Sequence, residues 1–324
     1  MMGFTSVGGG IAVERGEESG ALHAKPEGKV HQRFGLLATG IIGGGILAVS
    51  SASVLIRLAS APPLAVGSWR LALATLLLTP LALPRLRREG PHLTRRDGLR
   101  IALAGLALAV HFASWITSLS YTTVASSVVL VSTNPIFVGL AAPWLLGEKV
   151  GRRTVWAIVL VLAGCVIVGY GDIDLSPPAL LGDALALVGA LGASAYILLG
   201  REVRRKLSTW AYVWPCYGVA ALALIAFTLL MGQPLWGYSL RTVGIFALLA
   251  IGPQILGHSA FNWALGHLSA VFVTLTILGE PVGASLLALI ILKEVPPPAV
   301  WLGSVLILGG IVLASWNEMA ASRS

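Results

Sequence analysis

The stretch VFVTLTILGEPVGASLLALIILKEV, residues 271–295, decides how the rest of the chain is read. It is apolar enough to lie in lipid, yet it carries Glu280 and Pro281 side by side near its middle. An ionised acid at mid-bilayer costs about 2.5–3.5 kcal/mol on insertion scales. The proline beside it removes a helix hydrogen bond and frees a carbonyl that needs a partner or a wet cavity. Together they predict a membrane span whose polar face is turned into a helix bundle.

The composition agrees. The 324 residues are 56% hydrophobic and 11% charged, with a mean hydropathy of +0.86. A soluble domain carries about 25% charged residues, so lipid has to be the solvent. The chain divides into ten apolar runs of roughly the length a helix needs to cross ~30 Å of hydrocarbon. They cover 34–56, 64–83, 100–119, 123–146, 154–171, 179–200, 209–231, 242–264, 270–292 and 298–316. Residues 1–33 are polar and Gly-rich, without the apolar core of a signal peptide, and predict a disordered tail that is not cleaved. Residues 317–324 form a short C-terminal tail.

Of the 22 Lys and Arg, all but Arg57, Arg70, Arg241 and Lys293 fall in the tails and in alternate connections. That bias predicts a multi-pass protein of the cytoplasmic membrane with both termini cytoplasmic. The net charge of +8 is then topological, and no run mixes basic and aromatic residues as nucleic-acid binding requires. Cys165 and Cys216 lie in apolar runs, which reads as buried side chains and not a disulfide framework. Metal-ligand spacing is missing from the sequence, so neither metal nor cofactor is expected.

An internal repeat is visible. Shifting residues 119–170 by 146 lays Leu119 on Leu265, Pro135 on Pro281, Glu148 on Glu294 and Gly164 on Gly310, while Asn134 falls on Glu280. That offset holds five spans, and an odd number inverts the second copy, a construction common among secondary transporters. The repeats are 34–171 and 179–316. At this point the chain resembles the EamA-type branch of the drug/metabolite transporter superfamily. The resemblance is carried by SWRLALATLLL (68–78), by SLSYTTVASSVVLVSTNPIFVGLAAPWLLGEKV (118–150) and by LGEPVGASLLALIILKEV (278–295). It implies an all-α protein of ten transmembrane helices, built as two inverted five-helix repeats around a central cavity, that carries small metabolites. The branch includes amino-acid exporters and drug-efflux proteins.

Glu280 is the strongest candidate for a residue that touches substrate or carries a coupling proton, against a purely structural acid bonded to a neighbouring helix. His111 and Trp115 share a face in the third run, as do His258 and Asn262 in the eighth. With Asn134, Tyr196, Ser50 and Ser51 they would wall a cavity with aromatic surfaces and a few polar anchors; the alternative is interhelical glue. Arg70 either attracts an anionic substrate group or snorkels to the interface. Pro135 and Pro281 are expected to kink their helices. Asp183 suits a helix N-terminus, and Glu148 and Glu294 suit capping or pairing at span ends.

Enzymatic alternatives find little support. The serines of LGASAY and GHSAFN lack the nucleophile-elbow pattern, and no nucleotide-binding loop supplies ATP. The expected activity is secondary transport, most simply export of amino acids or related small compounds, with protons as the candidate coupling ion. A multidrug or cation carrier of the same fold and a passive channel are the alternatives. Substrate identity, direction and oligomeric state are not set by the sequence.

Overall fold

The computed structural model describes residues 27–122, 124–169, 176–293, 295 and 298–321; Glu294 and most of the expected tail lie outside them. The chain falls into two compact units, Met1–Thr39 and Gly40–Ser324. In the first, the described residues are the opening turns of a helix, with the Thr39 hydroxyl donating to the Gly35 carbonyl at 2.9 Å. That helix begins at Glu27, inside the stretch expected to be a disordered tail, because a helix can run on beyond the apolar residues that need lipid.

Among the described residues there are helices and connecting turns but no strand, as lipid demands of any chain that cannot close a barrel. In order they are α1 (Glu27–Ser50), α2 (Ala52–Leu58), α3 (Pro63–Glu89), α4 (Arg95–Ser118), α5 (Val124–Val131), α6 (Asn134–Leu145) and α7 (Arg152–Gly169). There follow α8 (Pro177–Arg204), α9 (Thr209–Leu230), α10 (Leu240–Leu249), α11 (Ser259–Leu265), α12 (Ala270–Ile277), α13 (Glu280–Leu287) and α14 (Pro298–Ala321). Nine described segments are long and apolar enough to cross a membrane. The 18-residue α7, about 27 Å long, supplies the remaining expected run.

Four of the runs are not plain helices. The first divides at Ser51, between α1 and α2. The fourth and ninth each stop and restart, at Asn134-Pro135 and at Glu280-Pro281. Proline in the first turn of a helix loses no internal hydrogen bond and has its φ preset, so each pair starts a new helix instead of kinking one. In the eighth run α10 passes into a nine-residue π segment, Ala250–His258, that contains Pro253. Such widened turns occur often at functional sites.

The strongest helix pairings are α4 with α8, α7 with α14 and α3 with α9. The last two join counterpart spans of the two repeats. Gly164 and Gly310, counterparts at the 146-residue offset, both sit in the α7–α14 contact. A Cβ added at Gly164 would lie 2.6 Å from the Gly303 carbonyl oxygen, and one at Gly310 would lie 2.4 Å from Val161 Cγ2. Small residues let the backbones come this close, which is how lipid-embedded helices associate. Outward faces of the pair, such as Trp156, Val159, Val305 and Leu308, stay exposed.

Polar fastenings gather where the basic connections lie. Thr94 and Asp97 form a reciprocal capping box at the start of α4, and Lys206 Nζ reaches Asp97 Oδ1 at 2.8 Å. Glu148, just past α6, accepts from Arg201 Nε at 2.7 Å and from the Ala270 backbone N–H at 2.8 Å. Expected to cap or pair at its span end, it does both at longer range, tying α8 to the first residue of α12. Near the other connections, Thr122 Oγ1 donates to Asp183 Oδ1 at 2.9 Å.

Candidate functional site

A small cavity of about 60 Å³ is lined from α1 to α6, from α8, from the π segment and from α11 to α13. The structure brings eight expected residues to its wall: Arg70, His111, Trp115, Asn134, Tyr196, His258, Asn262 and Glu280. Ser51 is not among them; its hydroxyl donates to the Ala48 carbonyl at 2.7 Å. Its neighbour Ser50 donates to Ile46 and, at 3.3 Å, to the backbone carbonyl of Glu280, holding the broken first span against the head of α13.

Arg70 does not snorkel. It is 0% exposed, the eighth residue of α3 and so about 10 Å along it. Its Nε donates to Gln254 Oε1 at 2.7 Å, and its guanidinium carbon stands 4.3 Å from the centre of the Phe112 ring, within cation–π range. Nη1 and Nη2 have no hydrogen-bond partner. A buried donor without a partner is costly, and native structures keep few of them.

His111 is set by the close approach of α4 and α8. A Cβ at Gly192 would come within 2.8 Å of the His111 backbone nitrogen and 2.9 Å of the Ala107 carbonyl oxygen. Only glycine permits that contact, and it lets His111 Nδ1 donate to the Gly189 carbonyl at 2.9 Å. With Nδ1 carrying the hydrogen, a neutral ring keeps Nε2 as an acceptor. The ring stacks on Trp115, with centroids 5.8 Å apart and planes 6° apart. His258, at the end of the π segment, meets Phe112 edge-on at 5.3 Å and lies 6.4 Å from His111. Arg70, the two imidazoles and Trp115 thus form an aromatic and cationic wall, with Phe112 packed behind Arg70 and His258.

The facing groups are acceptors or can become so. Asn262 donates to the His258 carbonyl at 2.7 Å and also to the Tyr196 hydroxyl. Behind it, the hydroxyls of Tyr217 and Ser259 pair at 3.3 Å. Asn262 Oδ1 and Asn134 Oδ1 are buried without partners, as is the Trp115 indole N–H, a donor, on the aromatic wall. Glu280 opens α13 and keeps part of its surface free. The chamber therefore holds one permanent cation, one acid, and several orphaned donors and acceptors, enough to bind a small polar molecule by both its ends.

Three contributors escaped the sequence reading: Phe112, Tyr217 and Gln254. For Gln254 a signal existed in Gly-Pro-Gln, residues 252–254, an amide beside a helix breaker inside an apolar run. Phe112 and Tyr217 look like any aromatic in a span.

Comparison with known proteins sets this site in context. The model of the EamA-like transporter family matches residues 34–170 and again 180–316. An uncharacterised transporter of Clostridium kluyveri is 27% identical over 76% of this chain and 82% of its own length. The pseudopaline exporter CntI of Pseudomonas aeruginosa is 28% identical over 69% of this chain and 76% of its own. A riboflavin transporter of Rhizobium johnstonii is 26% identical over 81% and 84%. One solved structure superposes with a TM-score of 0.71 at 19% identity, covering 88% of this chain and 98% of that one, a likeness of fold. With two family matches spanning most of its length, paired counterpart helices and a chamber lined from both repeats, this chain belongs to the EamA-like transporter family: it is a multi-pass membrane protein and a transporter, not an enzyme.

Proposed function

We propose that this protein is a secondary carrier of the cytoplasmic membrane that exports amino acids or related small organic metabolites by alternating access. The two repeats face opposite ways, both termini lie in the cytoplasm, and the chamber is the transport site. One observation carries this reading: both repeats contribute polar groups to a single, largely apolar chamber, with Arg70, His111, Trp115 and Asn134 from one and Tyr196, His258, Asn262 and Glu280 from the other. By volume the chamber has room for about four water molecules, so it must widen to admit cargo, as carriers do when one repeat rocks against the other. A passive channel would need no such enclosed site.

Glu280 is the group through which a proton gradient would drive export. It stands at a helix break, where a backbone free of regular pairing is tolerated beside a wet cavity, and its charge has no counterpart at Asn134. A multidrug or cation carrier is the competing reading, favoured by the aromatic wall beside an acid. Arg70 in the same chamber opposes it, since an organic cation would meet a fixed like charge.

Proteoliposome flux tests the proposal. Wild-type protein moves its amino acid faster when a pH gradient is imposed, and Glu280→Gln, of the same size, loses that response. Unchanged transport with unchanged pH dependence in the variant rejects the role given to Glu280.

A further inference from the structure

We propose that Arg70 is the anion-recognition residue of the chamber, and that the cargo bears a carboxylate seated on its two terminal nitrogens. This deepens the transport reading and rests on it for the word cargo. The first argument is an imbalance. A guanidinium has five N–H donors and no acceptor. One is satisfied by Gln254 at 2.7 Å, while Nη1 and Nη2 are fully buried with no partner. A charge held this deep is strongly disfavoured unless an opposite charge and hydrogen bonds compensate it. Glu280 shares the cavity and lies within Coulombic reach of Arg70, but it does not hydrogen-bond Nη1 or Nη2, so that hydrogen-bonding vacancy stays open.

The second argument is geometry. Nη1 and Nη2 form a planar fork that matches two oxygens of a carboxylate or a phosphate. The fork is held in place: Gln254 Oε1 fixes its Nε edge and the Phe112 ring lies beneath it at 4.3 Å. Gln254 is therefore a positioning residue, brought to Arg70 by the π segment.

Charge then selects the class. Among the described lining residues Arg70 is the one permanent cation and Glu280 the one acid. A doubly charged phosphate would leave uncompensated negative charge beside Glu280, whereas one carboxylate balances Arg70. Glu280 and the unpaired Oδ1 atoms of Asn134 and Asn262 remain for a donor group at the cargo's other end. An amino acid has both features.

The test uses purified full-length protein and L-amino acids, each matched with its carboxamide and its decarboxylated amine. Ligand-induced shifts in thermal unfolding give the affinities. At least one free acid stabilises the wild type, and its amide and amine bind at least tenfold more weakly. Gln254→Glu keeps the side-chain size and gives Arg70 an internal carboxylate. It weakens acid binding by about tenfold to a hundredfold and amide binding far less, a split that a merely structural role would not produce. Arg70→Lys keeps the charge without the fork and loses the preference for acid over amide. The assignment is overturned if acid and amide bind alike, if both variants bind the acid as wild type does, or if no free acid shifts the wild type. Proteoliposome flux of the bound acids separates the two levels: Arg70-dependent binding without flux keeps this assignment and removes the carrier reading.

Discussion

Replacing Glu148 by alanine unfastens one end of the bundle, and the size of the effect follows from its contacts. One carboxylate oxygen takes Arg201 Nε at 2.7 Å, the other takes the Ala270 N–H at 2.8 Å, and Arg205 Nη2 stands 3.6 Å away. Glu148 and Arg201 side chains are 11% and 12% exposed, so solvent screens this pair far less than a surface bridge. Breaking a buried pair costs about 3–5 kcal/mol; with residual exposure and Arg201's further bond to the Leu265 carbonyl, about 2–3 kcal/mol is reasonable. Under alternating access a fastening placed there would hold the chamber shut toward the basic connections. Its loss should raise the open population roughly thirtyfold to a hundredfold, at about 1.4 kcal/mol per decade. The assay is alkylation of Ala193→Cys, a cavity-lining position, by an impermeant maleimide in oriented vesicles of protein with Cys165 and Cys216 replaced. Labelling from the side of the basic connections should accelerate by at least tenfold. If Glu148→Ala lowers the unfolding temperature yet leaves labelling unchanged, the fastening is structural only and the gating argument fails.

Two further outcomes concern stability. Gly192→Ala drives a methyl group into the α4 backbone beside His111 and should destabilise by about 1–3 kcal/mol; a wild-type melting profile in detergent would refute the close contact. Asp97→Ala loses both the capping box and the Lys206 pair, whereas Asp97→Asn keeps a capping acceptor. Alanine should therefore cost about 1 kcal/mol more than asparagine, and the asparagine deficit, which comes from a pair whose lysine is 51% exposed, should shrink in ~1 M salt. Equal losses in both variants, insensitive to salt, would show that the cap contributes nothing.

Hydropathy reveals where helices cross because lipid penalises every exception, and the same penalty draws the eye to Glu280, Asn134, His111 and His258. Packing direction is not so legible. Arg70 lies near enough to the start of its span for its long side chain to reach either the interface or the interior, and only the presence of Phe112 and Gln254 beneath it decides between them. The π segment is equally silent, since its shifted hydrogen-bond register leaves no apolar periodicity to find. The restarts before Pro135 and Pro281 were within reach: an Asn or Glu preceding proline is as much a helix beginning as a kink. Ser51 misled because neighbouring serines on a helix point about 100° apart, and it is Ser50 that reaches α13.

Two spans resume at counterpart points, one on Asn134 and the other on Glu280. Were the halves chemically identical, the conformers open to either side would be related by a two-fold rotation and equal in energy, and the empty protein would dwell evenly between them. An ionisable group on one half alone lifts that degeneracy. The resting preference of the unloaded molecule, and with it the speed of each half of the cycle, would then depend on position 280 together with the other unlike positions of the chamber, Arg70 among them, while the direction of net flow stays with the gradients.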